Sequence, residues 1–147
     1  MTPKLLPTEY IIIILNNNEH FNFISEYLNK MTIENLINND ILLQEDISII
    51  VKIKEIKPTK TFKPDVDTEK QQKEIIVSDT KSDYTMSLFL YDEEISFIKL
   101  LKKDDYIAIY NPQISFKSNK KILNYCLNTI FIKIEMNEKK VIYNIYN

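Results

Sequence analysis

Two stretches of this chain set an aromatic ring among lysines: Lys57, Lys60, Phe62 and Lys63, then Phe116, Lys117, Lys120 and Lys121. A ring face stacks on a flat base, and neighbouring ammonium groups follow the phosphates that link such bases. The first stretch has a second reading, a solvated loop whose Phe62 tucks against the domain, and the sequence leaves both open. A further pair of rings, Phe89 and Tyr91, falls on the Thr85, Ser87 side of an alternating segment whose other side is Met86, Leu88 and Leu90. If the Met/Leu side faces inward, the two rings face outward, either as a binding surface or as one covered by other elements or by a partner subunit.

Other chemistries lack their residues. The one histidine, His20, stands beside Asn18 and Glu19 where a helix begins, and the one cysteine, Cys126, reads as a small core residue in ILNYCLNTIF. A disulfide and a Cys/His zinc site both need more ligands within the chain. The acids Asp92-Glu93-Glu94 and Asp104-Asp105 are adjacent on a helix start and a turn, where neighbours diverge or act as caps. With no nucleophile motif, phosphate loop or metal signature, the expectation is a non-enzyme with no cofactor and no small-molecule substrate. The chain has no arginine, so it lacks the bidentate guanine contact that most often reads duplex sequence.

Composition sets the frame. The 147 residues, 44% hydrophobic, suit one compact domain with an N-terminal extension, and no apolar run approaches the ~20 residues that span a bilayer. The apolar run 11–15 is too short for a signal-peptide core, so the chain is expected to stay inside the cell. Residues 1–46 hold two lysines against seven acids, whereas residues 47–133 hold 15 lysines against 12 acids. An acidic extension on a mildly basic body fits a nucleic-acid domain with an acidic appendage, or a protein-binding module. The overall charge of −2 opposes strong nonspecific phosphate binding. Because glycine is absent, positive-φ turns must use Asn or Asp, and Asn17, Asn18, Asn38, Asn39, Asp83, Asn119 and Asn137 fall where such turns are wanted.

The elements that position these residues follow from periodicity. A short strand is expected over 9–15, a helix over 19–30 with Phe23, Ile24, Tyr27 and Leu28 on one face, and a second helix capped by Thr32 and running to Asn38. Strands follow at 47–57, 74–79, 84–92 and 106–110, with a helix over 93–101 and a hairpin at 118–121 leading into the fifth strand. A closing strand over 129–136 and a terminal one over 141–146 complete the series, while 58–73 reads as a long exposed loop. This order predicts a mainly β protein: a five-stranded OB-fold barrel with a helix between strands three and four. The boundaries are an acidic, mostly helical extension at 1–46, the barrel at 47–136 and a C-terminal strand at 137–147.

Residues 78–122 resemble the core of single-stranded-DNA-binding OB domains of the telomere end-binding and replication protein A type. The matching features are the Asp79 turn, Tyr91-Asp92, the turn Lys103-Asp104-Asp105, and Phe116 followed by a hairpin through Lys120. Asp104 and Asn119 stand where that family usually has glycine. The resemblance implies base stacking on Tyr91 and Phe116, with Phe89 a weaker stacking residue, and a phosphate path along Lys52, Lys54, Lys117, Lys120 and Lys121. The basic loop adds Lys60 and Phe62. Small OB subunits of this type hold larger partners, which implies a non-catalytic subunit of a hetero-oligomeric nuclear complex in replication, telomere capping or DNA modification. The alternative is a stand-alone strand-binding module.

Overall fold

The computed structural model describes residues 11–15, 31–38, 47–126 and 128–136. Alternation in β2 (Ser48–Ile56) buries Ile49, Val51 and Ile53 in the core. β4 (Thr68–Asp79) adds Ile75 and Val77, and β5 (Thr85–Tyr91) adds Met86, Leu88 and Leu90, so the Met/Leu side of β5 is the inward one. β2 and β4 pair antiparallel with a bulge between Ile53 and Glu55, and β4 pairs antiparallel with β5.

The stretch expected to be a loop is instead a hairpin. β3 (Lys60–Asp65) pairs with the first half of β4, and all its residues are exposed. Alternation marks a strand only where one face is buried, so a ribbon solvated on both faces leaves no such trace. Asp65 shapes the turn by accepting the Asp67 N–H at 2.9 Å. A hydrogen bond from Thr68 and that backbone bond hold its carboxyl below the usual range.

A 3-10 helix spans Asp92–Leu100 and sends Phe97 and Ile98 into the core with Leu101. The sequence had suggested helix without distinguishing its type. The apolar spacing Ile95, Ile98, Leu101 is strictly three, which matches a helix of three residues per turn.

β6 (Tyr106–Tyr110) pairs with β2 on one side and β9 (Ile130–Met136) on the other. β7 (Gln113–Lys117) pairs with β8 (Lys120–Asn124), which runs parallel to β5. Between β6 and β7 the chain turns at Asn111, φ 52°, and Pro112. The strand order β6, β2, β4, β5, β8, β7, with β6 and β7 consecutive in the chain through Asn111-Pro112, is that of an OB fold. The expected count of five strands needs correction. Among the described residues eight strands lie on one hydrogen-bonded path and β3 joins beside it. β9, expected to close the barrel, instead lengthens the sheet beyond β6, and β1 (Ile11–Leu15) adds to β9 in parallel.

The bend at Asn111 is held by Thr129, whose hydroxyl donates to the Asn111 carbonyl at 2.9 Å and accepts the Cys126 N–H at 2.9 Å. Cys126 is half-buried at this corner and lies outside the apolar core. Positive φ also occurs at Asp92, Asp104, Ser118 and Asn119. Asn119 was anticipated and Ser118 was not, while Asp83 and Asn38 have ordinary φ. Asn17, Asn18, Asn39 and Asn137 lie outside the described residues.

Helix α1 (Ile33–Asn38) follows Thr32, whose hydroxyl oxygen accepts the Asn35 N–H at 3.0 Å. Asp79, at the end of β4, accepts the N–H groups of Ile33 at 2.6 Å and Glu34 at 3.1 Å. At the other end the Lys121 ammonium donates to the Leu36 carbonyl at 2.7 Å. Ile33 and Leu36 are completely buried in the barrel core, so a short helix is fixed at both ends and along one face. The helix expected at 19–30 and the strand expected at 141–146 lie outside the described residues.

Candidate nucleic-acid interface

The outward residues of β4 and β5 floor a groove of about 740 Å³. The β7–β8 hairpin stands along it, and Ile37 of α1 and Lys57 complete the lining. The hairpin turn is Ser118-Asn119, both at positive φ, which is the two-residue geometry that matches the twist of antiparallel strands. That turn carries Lys117 and Lys120 outward and leaves Phe116 on the wall with 69% of its surface exposed.

Among the described residues the groove holds four lysines, Lys57, Lys117, Lys120 and Lys121, and one carboxylate, Glu74. Ser87 donates its hydroxyl to Glu74 Oε2 at 2.6 Å, and the Lys57 ammonium lies 3.5 Å from the same oxygen. The Ser87 bond is the chief reason the Glu74 carboxyl sits below the usual carboxylate range; partial burial works against it, and the Lys57 and Lys117 charges assist. Glu74 pairs across the strands with Phe89. Phe89 is 3% exposed, and the Lys117 ammonium lies 4.5 Å from its ring centroid. A cation at that distance occupies one ring face, so Phe89 holds Lys117 in place.

Of the ten residues singled out from the sequence, the groove gathers Phe89, Phe116, Lys117, Lys120 and Lys121. Lys121 is half-buried with its ammonium on the α1 carbonyl. Tyr91 lies outside the groove lining, half-buried, with Gln72 as its cross-strand partner. Lys52 pairs with Asp104 at 3.7 Å, and Lys54 is exposed at the β2 bulge. Lys60 and Phe62 sit on the β3 arm, opposite Gln72 and Lys70. Glu74, Ser87 and Ile37 were not singled out. Glu74 and Ser87 read as ordinary alternating polar residues until the pairing of β4 with β5 sets them side by side. Lys57 was visible in the first basic stretch, but its place beside Glu74 was not.

Among the described residues no group of three or more His, Cys, Asp or Glu side chains is arranged to hold a metal ion, and no helix is long and apolar enough to cross a membrane. No family model and no curated protein sequence matches this chain. Solved structures do match. A chain of a replication protein A heterotrimer bound to single-stranded DNA superposes with a TM-score of 0.54 at 11% identity, over 66% of this chain and 24% of that one. The OB domain of a Thermoplasma acidophilum protein gives 0.51 at 17% identity, covering 71% and 90% of the two chains. A replication factor A related protein from Methanobacterium thermoautotrophicum gives 0.50 at 15% identity, covering 63% and 84%. This chain thus matches about a quarter of the length of the replication protein A chain and most of the length of the two archaeal structures. With the strand order β6, β2, β4, β5, β8, β7, these matches make the chain an OB-fold protein, alike in fold to the domains of replication protein A.

Proposed function

We propose that this chain is a non-catalytic OB-fold subunit of a nucleic-acid-processing complex that contacts single-stranded DNA through the groove between β4–β5 and the β7–β8 hairpin. The observation that carries the reading is Phe116, an exposed ring on the groove wall with Lys117 and Lys120 beside it. A base stacks on that ring while the lysines meet the phosphates on either side. The chain's net charge of −2 keeps the interaction local, since only the few groove lysines face the strand. Subunit status draws support from the fold match to a replication protein A heterotrimer bound to single-stranded DNA.

The test is a titration of the whole chain against labelled single-stranded DNA and RNA at low and moderate salt, followed by anisotropy. Two or three phosphate contacts give a log–log salt slope of about −1.4 to −2.1. Absence of binding at low salt would remove the strand-contact part of the proposal.

A further inference from the structure

The floor of the groove presents an acceptor among its lysine donors. Among the described residues Glu74 is the single carboxylate in the lining, and its charged form is favoured by the Ser87 hydroxyl and the neighbouring lysines. Its two closest partners, Ser87 and Lys57, both act on Oε2. Oε1 carries no described bond and is the oxygen left to accept from a ligand.

A phosphate cannot settle beside this carboxylate without repulsion, so phosphates belong at the hairpin turn, near Lys120, and base edges belong over Glu74. The chemistry of those edges then differs from base to base. Cytosine and adenine offer an exocyclic amino group, a donor that a carboxylate accepts. Thymine offers a carbonyl oxygen at the corresponding place, which faces Oε1 as a second acceptor. A buried or half-buried acceptor that loses its donor is penalised more than an equally placed neutral contact is rewarded.

Resting on the strand-binding reading above, we propose that Glu74 is a specificity-determining residue that selects single strands whose bases carry exocyclic amino groups over oligothymidine. Lys57 positions it: the 3.5 Å pair and the 2.6 Å Ser87 bond from β5 both hold Oε2. The groove therefore reads base identity with one fixed oxygen, without the arginine fork that the chain lacks.

The experiment compares anisotropy titrations of the whole chain against short oligodeoxycytidine and oligothymidine of equal length, at one salt concentration and neutral pH. The expected result is a preference for oligodeoxycytidine on the order of tenfold, the value of one charge-assisted hydrogen bond. Glu74→Gln, whose amide both donates and accepts, is expected to bring the ratio close to one by tightening oligothymidine binding. Equal affinities of the unaltered chain for the two oligomers would overturn the selectivity while leaving strand binding intact. Failure to bind either oligomer would overturn both proposals, and the comparison on the unaltered chain stands whether or not the variant folds.

Discussion

Tyr91 donates its hydroxyl to Asn124 Oδ1 at 3.1 Å, and Asn124 passes the connection on by donating Nδ2 to Ser115 at 2.6 Å. These bonds tie β5, β8 and β7 together, with Gln72 of β4 donating to the same phenol oxygen at 3.5 Å. The Tyr91 ring is thereby held as a joint at the end of the sheet, whereas Phe116 on β7 has no such engagement of its exposed face.

The two rings should respond differently to substitution. Tyr91→Phe removes one hydroxyl from a part-buried network and is expected to lower stability by about 1 kcal/mol in urea unfolding, with strand affinity changed less than about twofold. Phe116→Ala removes an exposed ring and is expected to leave stability within about 0.5 kcal/mol while weakening single-strand affinity by about 1–3 kcal/mol in anisotropy titrations.

Asp79 links the barrel to α1 by accepting two of its first N–H groups and the Ser82 hydroxyl, the latter at 2.9 Å. Asp79→Ala leaves those donors facing an apolar side chain, and a loss of about 2 kcal/mol is expected in urea unfolding. Hydrogen exchange should show the α1 amides opening before those of β2, because the helix loses its anchor while β2 keeps its pairing with β4 and β6.

The Glu74 carboxyl gives a pH signature. Its folded-state proton affinity is lower than in the unfolded chain, chiefly through Ser87. That stabilisation is complete above the unfolded value, near the ordinary 4.5 of a glutamate, and is lost as pH falls through the lower folded value. Urea midpoints measured from pH 7 down to pH 3 should therefore fall more for the unaltered chain than for Glu74→Gln.

Ser118, at φ 52°, occupies a conformation that a residue with a Cβ adopts at a cost. Ser118→Gly relieves it at the first central position of the hairpin turn, and a gain of about 0.5–1 kcal/mol is expected in urea unfolding.

The inward faces of β2, β4 and β5 were legible because burial on one side imposes alternation on Ile49, Val51, Ile53 and Met86, Leu88, Leu90. The capping role of Thr32 and the positive φ of Asn119 were legible because local chemistry dictates both. The β3 arm was not, since no face of Lys60–Asp65 is buried and nothing in its composition distinguishes ribbon from loop. The groove was half legible. Phe116, Lys117, Lys120 and Lys121 are neighbours in sequence and share one hairpin, so their clustering is local. Glu74, Ser87, Lys57 and Ile37 reach the same groove from separate elements, and only register and packing bring them there.

The central claim is that a single strand lies in this groove, and amide NMR of the whole chain titrated with single-stranded DNA tests it most directly. The account expects shifts concentrated at Lys57, Glu74, Ser87 and the Phe116 to Ile122 hairpin, growing with added strand and reversed by salt. Shifts confined to β6 and β9, or none at low salt, would contradict it.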